Sequence, residues 1–210
     1  MTDPATPLFY EPGAGHGLPH DPFKAIVGPR TIGWIGTVSP AGVPNLAPYS
    51  FFAIVCDRPP MIAFSSSGWK DSVANAEATG AFTWSLASRP LAEAMNRTSV
   101  PSGPEVDEFA LAGLEAAPSR LVAPPFVAAS PAALECRVAQ VVRMSTAAGE
   151  AVDSWLVVGE VVGVHIDPRF LTPDGLFDTA AAAPVLRAGY AADYAAIGPE
   201  AMFRMRRPSA

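Results

Sequence analysis

The chain has 210 residues, 50% of them hydrophobic and 16% charged, with a formal net charge of −6 at pH 7. This length suits one well-buried core, and the composition excludes wholesale disorder. The acidic balance argues against a dedicated nucleic-acid binder. We expect a cytoplasmic protein, because no apolar run approaches the ~20 residues of a membrane-spanning helix and the first residues lack a signal-peptide pattern.

The first 21 residues are rich in proline, glycine and histidine, which predicts an extended N-terminal arm. His16 and His20 lie four apart, a spacing that suits a metal ion on a helix, but the surrounding glycines and proline disfavour a helix. Cys56 and Cys136 belong to no metal-ligand spacing and are predicted to be buried free thiols in a reducing compartment. The sequence therefore predicts no metal site.

Residues 22–194 are predicted to form one domain dominated by β-strands, followed by a C-terminal tail at 195–210. Apolar alternation and Val-rich runs predict strands at residues 30–39, 45–52, 61–64, 81–87, 132–144 and 155–166. Capping residues and helical spacing predict short helices at residues 70–78, 89–95, 106–112 and 179–183. Many short strands with few helices indicate an all-β barrel.

A predicted hairpin within residues 45–75 organises the rest of the chain. Its two apolar strands are joined through Asp57-Arg58-Pro59-Pro60, because two consecutive prolines cannot sit inside a central strand ladder. Pairing about this turn places Ser50 opposite Ser65, to within a residue or two. Prolines in the first strand predict an edge or bulged strand, whose unpaired backbone groups are available to a ligand.

Small polar residues gather at one end of this hairpin in a patch suited to an anion. The patch comprises Asn45, Ser50, Ser65, Ser66, Ser67, Lys70, Asp71 and Ser72. A phosphate monoester needs several donors and positive charge, which serine hydroxyls, Lys70 and a helix N-terminus would supply. The alternative interpretation is an ordinary helix, N-capped by Ser67 or Asp71, with exposed serines.

Aromatic side chains beside the patch extend the prediction from a phosphate to a nucleotide-like cofactor. Tyr49, Phe51 and Phe52 would form an aromatic wall, and the proline-containing backbone would offer hydrogen bonds to a flat heteroaromatic ring. The chain contains neither G-x-G-x-x-G after a strand nor G-x-x-x-x-G-K-[ST]. Neither a Rossmann site nor a P-loop site is therefore indicated.

Several segments, in this order along the chain, resemble the flavin reductase-like, FMN-binding split-barrel family. They are the stretch at 29–76, MNRTS at 95–99, VDEFALAGL at 106–114, GEVVGVHID at 159–167 and RAGYAADY at 187–194. The resemblance covers about residues 22–194. It implies a homodimeric, six-stranded split β-barrel with Greek-key-like topology that holds FMN, or FAD in some members, near the subunit interface.

The resemblance also implies roles for individual residues. The flavin ring edge would meet the segment that contains Asn45, Ala47, Pro48, Tyr49, Ser50 and Phe51. The ribityl phosphate would meet Ser65, Ser66, Lys70, Asp71 and Ser72, with Ser67 beside them. Secondary contacts, including contacts across the dimer, would come from Asn96 and Thr98, and the pocket would be closed by Arg187 and Tyr190.

His165 is the histidine that lies inside one of these motifs. It would contact the nicotinamide or the flavin edge, or relay a proton, whereas the structural alternative is a hydrogen-bonded strand-end residue before Asp167. Gly68-Trp69 departs from the family pattern, which often has an arginine before the lysine that corresponds to Lys70. Ala188 departs from an R-L-G pattern in the late segment.

Two functions of different classes follow from the resemblance. The first is an enzyme that transfers hydride from NAD(P)H to FMN, with reduced flavin passing to a partner monooxygenase or remaining bound. The second is a flavoredoxin-like carrier that binds FMN and takes electrons from a protein donor. A cofactor-free relative is a third alternative. No triad or paired carboxylates appear in the sequence, which agrees with hydride chemistry supplied by cofactors.

Overall fold

The computed structural model describes residues 7–208. The strands in this part of the chain are β1 (Arg30–Thr31), β2 (Gly33–Val38), β3 (Pro44–Tyr49), β4 (Phe52–Cys56), β5 (Met61–Ser67), β6 (Ala81–Ser85), β7 (Ala116–Ala117), β8 (Phe126–Val127), β9 (Ala132–Ser145), β10 (Ala151–Ile166), β11 (Val185–Arg187) and β12 (Tyr194–Ala196). The helices are α1 (Phe23–Ile26), α2 (Asp71–Thr79), α3 (Ala92–Arg97), α4 (Glu108–Ala112) and α5 (Thr179–Ala182). Short 3₁₀ turns, including Arg89–Leu91, join some of these elements.

Seven strands form one antiparallel sheet in the order β3-β2-β6-β9-β10-β5-β4. Its centre is the long hairpin of β9 and β10, which have 14 and 16 residues. The two edge strands, β3 and β4, follow each other in sequence and are separated only by Ser50 and Phe51. The sheet must therefore curl until its edges approach each other at this connection. The mostly-β class predicted from the sequence is confirmed.

The main sheet has one strand more than the six predicted, because the chain bends at Ser50 and Phe51. Before the bend, β3 pairs with β2 as an edge strand, which its prolines predicted; after it, β4 pairs with β5. Phe52 lies opposite Phe64, and the Ser65 amide donates to the Phe51 carbonyl at 2.8 Å. Ser50 is thus within about one residue of its predicted partner.

The core lies on both faces of β2, because successive side chains of a strand point to opposite sides. Ile35 faces the interior of the curled sheet, where it packs with Phe64, Phe82 and the α2 residue Val73. Trp34 faces the other side, in a second cluster covered by α3 and α4 that also contains Ile32, Leu46, Ala87, Met95, Phe109 and Val127. Helix α2 therefore packs against the interior face of the curled sheet, which we call the half-barrel.

The two cysteines are free thiols, as predicted. Cys136 is fully buried in β9, whereas Cys56 is only half-buried at the end of β4. Burial, and to a lesser extent the charge of neighbouring Glu135, raises the pKa of the Cys136 thiol. We infer that Cys136 stays protonated and acts as a small apolar core residue.

Gly159 lies so close to the ring of Phe82 that a larger residue at this position should destabilise the protein. A Cβ atom added there would lie 2.3 Å from Cε1 of Phe82, whose ring is fully buried. We expect Gly159→Ala to lower the free energy of unfolding by roughly 1–3 kcal/mol, since overpacking displaces core side chains. Urea unfolding would measure the change. Gly13→Ala is the matched control, because no atom lies within 4 Å of an added Cβ at Gly13; equal midpoints for both variants would contradict the prediction.

The late segment of the chain forms a second, small sheet of β1, β11 and β12. Arg30 of β1 lies opposite Arg187 of β11. The chain then turns at Gly189, and Arg187 lies opposite Tyr194 of β12. The predicted domain ends at residue 194, whereas strand β12 begins at Tyr194 and continues to Ala196.

Candidate functional site

A cavity of about 580 Å³ lies where the bend between β3 and β4, the end of β5 and the start of α2 come together. Its fourth wall is the loop between α3 and α4. The lining residues are Asn45, Ala47, Pro48, Tyr49, Ser50, Phe51, Ser65, Ser67, Trp69, Lys70, Asp71, Ser72, Thr98, Ser99, Val100, Pro101, Ser102, Pro104 and Glu108. A volume of this size is typical of small-molecule sites.

The start of α2 forms one end of this cavity and is open to an anion. The helix begins at Asp71, and Lys70 occupies its N-cap position without a side-chain hydrogen bond that caps the helix. The predicted N-cap, Ser67 or Asp71, was therefore wrong. Because a helix N-terminus carries partial positive charge and unsatisfied amides, its uncapped end in a cavity favours an anionic group.

Buried amides and hydroxyls fix the position of Ser72 in this helix turn. The Asn45 side-chain amide donates to Ser72 Oγ and to Thr37 Oγ1, both at 3.0 Å. Asn75, one turn further along α2, also donates to Thr37 Oγ1 at 3.3 Å. Since Ser72 Oγ accepts from Asn45, the serine can donate its own hydrogen to a group in the cavity.

Tyr49 brings a buried phenol to the same wall. Its side chain is 8% exposed, and its ring centroid lies 4.9 Å from that of Phe64. Burial raises the pKa of the Tyr49 phenol, although the hydroxyls of Ser72 and Ser66 act in the opposite direction. Tyr49 is therefore neutral at physiological pH and can act as a hydrogen-bond donor.

The cavity is lined by one positively charged and two negatively charged side chains, and these side chains differ in solvent exposure. Lys70 is the one cation among the lining residues, and Asp71 and Glu108 are the carboxylates. Glu108 is only 4% exposed, and it accepts hydrogen bonds from the Leu46 amide at 3.1 Å and from the Ser102 hydroxyl. Its charge is thus committed to holding the loop against β3, while Lys70 remains exposed.

Twelve of the sixteen residues predicted to bind a cofactor line this cavity. They are Asn45, Ala47, Pro48, Tyr49, Ser50, Phe51, Ser65, Ser67, Lys70, Asp71, Ser72 and Thr98. Thr98 is buried, and its hydroxyl is used internally: it donates to the Met95 carbonyl at 2.7 Å and accepts from Trp34 Nε1 at 3.0 Å. We expect Thr98 to shape the wall rather than to bind a ligand through its hydroxyl.

The remaining predicted cofactor contacts lie elsewhere in the single chain. Ser66 is fully buried beneath the cavity and donates to the Gly68 carbonyl at 2.9 Å. Asn96 and Arg187 line a separate cavity of about 490 Å³. The Arg187 guanidinium donates to the Tyr194 hydroxyl at 2.6 Å and also to the Ala191 carbonyl. Tyr190 lies near His20 of the N-terminal arm, with ring centroids 5.9 Å apart.

His165 lies in a third place, on β10, beside a cavity of about 510 Å³. Its Nε2 atom is 2.6 Å from Oε1 of Glu135, and its ring centroid lies 4.4 Å from that of Phe126. Glu135 is 1% exposed and also accepts from three backbone amides. In one chain, His165 is therefore a hydrogen-bonded residue at the strand end, and its predicted catalytic role stays a prediction.

The sequence interpretation missed the loop wall and the buried carboxylate of the main cavity. The MNRTS segment had suggested only Asn96 and Thr98 as contacts, whereas its last residue and the loop after it also line the cavity, through Ser99, Val100, Pro101, Ser102 and Pro104. Asp107 and Glu108 lie at the start of the helix predicted at residues 106–112, where acidic residues are ordinarily exposed and favoured by the helix dipole. Asp107 does cap α4, accepting from the Phe109 amide at 2.9 Å. Nothing in the local sequence indicates that Glu108 turns inward to Leu46, 62 positions earlier.

Comparison with protein families identifies one matching domain. The model of the flavin reductase like domain matches residues 28–181. An uncharacterized protein of Deinococcus radiodurans is 38% identical over 151 residues, which are 68% of this chain and 63% of that protein. The match thus spans less than two thirds of the length of that relative.

Two solved structures resemble the chain over most of its length. Flavoredoxin of Desulfovibrio vulgaris (Miyazaki F) is 28% identical, with a TM-score of 0.74 and coverage of 87% of this chain and 92% of that one. Nitrilotriacetate monooxygenase component B from Bacillus cereus is 25% identical, with a TM-score of 0.77 and coverage of 87% and 91%. These similarities confirm the predicted split β-barrel.

Membrane-spanning helices and clusters of potential metal ligands are both absent from the described residues, 7–208. None of the helices there has the length and apolar character needed to cross a membrane. In the same part of the chain, no group of three or more histidine, cysteine, aspartate or glutamate side chains is placed to hold a metal ion.

Proposed function

Since the chain belongs to the flavin reductase-like, FMN-binding family, we propose that it binds FMN in the main cavity and transfers hydride from NAD(P)H to this flavin. The observation that carries the proposal is the junction of β3, β5 and α2. There the uncapped helix start, Lys70 and serine hydroxyls line the same cavity as Phe51 and Tyr49, whose phenol lies beside Ser72.

The residues that line the cavity include partners for both the phosphate and the ring of FMN. A phosphate needs several donors, and the start of α2 offers backbone amides together with Ser72 and Lys70. A flat ring needs apolar surface and in-plane hydrogen bonds. The bend after β3 offers the exposed Phe51 and a strand-edge backbone that is interrupted by proline.

A bound flavin would supply the two-electron chemistry by accepting hydride from a nicotinamide. The chain's own residues would bind, orient and enclose it. The Asn45 amide fixes Ser72, and through it the phosphate end of the site. Glu108 joins Ser102 of the loop to the Leu46 amide of β3, which fixes the position of that wall of the cavity. No acid or base is required of these residues.

A second candidate is an electron carrier that keeps its FMN and receives electrons from a protein donor. The similarity to flavoredoxin, at 28% identity, favours this candidate. The similarity to a monooxygenase component B favours instead a reductase that delivers reduced flavin to a partner monooxygenase. In either case we propose a homodimer with the flavin near the subunit interface, as the family resemblance implies.

Steady-state kinetics with added FMN tests the proposal. A reductase that uses flavin as a substrate should oxidise NADH or NADPH at a rate that rises with free FMN and saturates. The carrier should instead retain yellow FMN through gel filtration and show no such dependence. Each nicotinamide cofactor is added separately, to establish which is used. A colourless protein that takes up no FMN in a titration would overturn both candidates.

A further inference from the structure

The cavity beside His165 is a second small-molecule site that FMN binding does not use. Its volume is about 510 Å³, and it shares no lining residue with the main cavity. Its polar lining residues are Arg120, Ser130, Glu135, His165 and Asp167, whereas the rest of the lining is apolar or glycine. The chemistry of a ligand there is therefore decided by whichever of these few polar groups are free.

Three of the five polar side chains already have partners within the chain. Glu135 accepts from three backbone amides and contacts His165, which occupies the roughly four lone-pair sites of a carboxylate. Asp167 accepts from the amide and the guanidinium of Arg169. The Ser130 hydroxyl donates to a backbone carbonyl at 3.1 Å. The free polar groups are therefore on His165 and Arg120.

The contact with Glu135 fixes which nitrogen of His165 is free. Burial raises the pKa of Glu135, but the amide of Arg120, His165 and two further amides together lower it below its ordinary value, so the carboxylate is ionised at neutral pH. An ionised carboxylate only accepts, so Nε2 carries the hydrogen at the 2.6 Å contact. Within residues 7–208, Nδ1 has no hydrogen-bond partner and is not enclosed. In the neutral ring, Nδ1 is therefore a free acceptor.

Arg120 supplies a free cation at the same cavity. Its backbone amide donates to Glu135 at 2.8 Å, which fixes the start of the side chain beside the histidine. Its guanidinium is exposed and has no hydrogen-bond partner in the part of the chain that the structure describes. A guanidinium presents paired N–H donors that match the two oxygens of a carboxylate. Arg120 therefore favours an anionic ligand, and specifically a carboxylate.

The walls of this cavity suit a flat ring. Leu121, Val164 and Ile166 line it and are 53%, 62% and 42% exposed, so the rest of the described chain leaves them accessible to a ligand. The Phe126 ring lies 4.4 Å from the His165 ring between centroids, with the planes at 33°, and so fixes the plane of the imidazole. An apolar ring placed here would remove these side chains from water.

We propose that this cavity binds a small hydroxyaromatic carboxylate, a benzoate-like ring that carries a hydroxyl group. The carboxylate pairs with the Arg120 guanidinium, the hydroxyl donates to Nδ1 of His165, and the ring lies against the apolar walls. Arg120 and His165 are then the residues that determine specificity at this site. The inference goes beyond the proposed function, because it concerns a cavity separate from that of the flavin.

Isothermal titration calorimetry of the FMN-loaded full chain with meta- and para-hydroxybenzoate tests the proposal. We expect at least one isomer to bind with a dissociation constant of about 1 mM or lower, as suits a ligand of this size. Benzoate, which lacks the hydroxyl, should bind roughly 3- to 10-fold more weakly, and phenol, which lacks the carboxylate, roughly tenfold or more. Absence of saturable binding of both isomers up to about 10 mM would overturn the proposal.

Two substitutions separate the two recognition groups. Arg120→Ala keeps the backbone amide that holds Glu135, and it should weaken hydroxybenzoate and benzoate about tenfold while phenol changes by less than about twofold. His165→Phe should weaken hydroxybenzoate and phenol but not benzoate. Arg97→Ala is the control for charge, because Arg97 is exposed and lines neither this cavity nor the main one. Equal losses for Arg97→Ala and Arg120→Ala would overturn the assignment. If His165→Phe fails to fold, the response of Arg120→Ala to the three ligands still decides it.

Competition separates this site from those of the flavin and the nicotinamide cofactor. The constant for hydroxybenzoate should be the same in flavin-free and FMN-loaded protein. Displacement by FMN would place the acid in the main cavity and overturn the proposal. Displacement by NADH, or a raised KM for NADH in Arg120→Ala, would assign the cavity to the nicotinamide cofactor and overturn it as well. Binding of hydroxybenzoate by a protein that takes up no FMN would support this site and contradict only the proposed function.

Discussion

Replacing Lys70 with alanine is expected to weaken FMN binding about tenfold. Lys70 is the one cation lining the main cavity, and it stands at the N-cap of α2, where the phosphate of FMN is proposed to lie. A charge-assisted hydrogen bond to a phosphate is worth roughly 1.5–3 kcal/mol. The lower end of this range applies because Lys70 is exposed and its charge is screened by solvent.

Equilibrium titration of the flavin-free protein with FMN measures this effect. Lys70→Arg should restore most of the affinity, because it returns the positive charge. Arg58→Ala is the control for net charge: Arg58 is 93% exposed at the turn after β4 and lies outside the cavity. An unchanged dissociation constant for Lys70→Ala would show that the phosphate is held elsewhere, for instance near Arg30.

The predicted hairpin shows which parts of the fold follow from the local sequence. Two consecutive prolines after Arg58 determine where the chain turns between β4 and β5. The prolines of β3 restrict that strand to the edge of the sheet. The bend at Ser50 and Phe51 could not be predicted in the same way. It arises because β3 and β4 belong to opposite edges of a curled sheet, which is a long-range property.

The helix start beside Lys70 shows the limit of capping rules. Ser67 and Asp71 both suit an N-cap by residue type, yet the helix begins at Asp71 without a side-chain cap. Gly68, with its positive φ, separates β5 from the helix and sends Trp69 to the rim. The residue preferences for an N-cap are not followed at this helix, and the first backbone amides of α2 have no side-chain acceptor. Such departures from local rules are expected at functional sites.

The walls that sequence interpretation missed depend on contacts between distant residues. Glu108 reaches Leu46 across 62 positions, and Glu135 accepts from amides 13 to 15 positions earlier. Both carboxylates lie in segments where a charged residue ordinarily indicates an exposed position. Only the folded structure shows that Glu135 supplies acceptors for the amides of a loop and that Glu108 supplies one for an amide of the edge strand β3.

Replacing Glu135 with glutamine is expected to lower the free energy of unfolding by about 3 kcal/mol. Its carboxylate is 1% exposed and accepts from the amides of Arg120, Leu121 and Val122, at 2.8, 2.6 and 3.1 Å, and it contacts His165 at 2.6 Å. A glutamine amide directs N–H groups toward these donors, and a buried donor without an acceptor costs about 1–3 kcal/mol.

Urea unfolding at neutral pH compares this variant with Glu160→Gln. Glu160 is exposed on the neighbouring strand β10, so its replacement should change stability by less than about 0.5 kcal/mol. A loss for Glu135→Gln no larger than that of the control would contradict the assigned role. It would mean that the loop of residues 118–125 is held by packing alone.

The difference in unfolding free energy between the unmodified protein and Glu135→Gln should depend on pH in a defined direction. Burial raises the pKa of the Glu135 carboxyl, but the amide of Arg120, His165 and the amides of Leu121 and Val122 together lower it below its ordinary value of 4.5. A group with a depressed folded pKa stabilises the protein above its unfolded pKa and loses this contribution as the pH falls through the folded value. The difference in unfolding free energy between the unmodified protein and Glu135→Gln should therefore be full at neutral pH and shrink below about pH 4.5. A difference that stays constant into acid would show that the amides respond to the shape of the side chain and not to its charge.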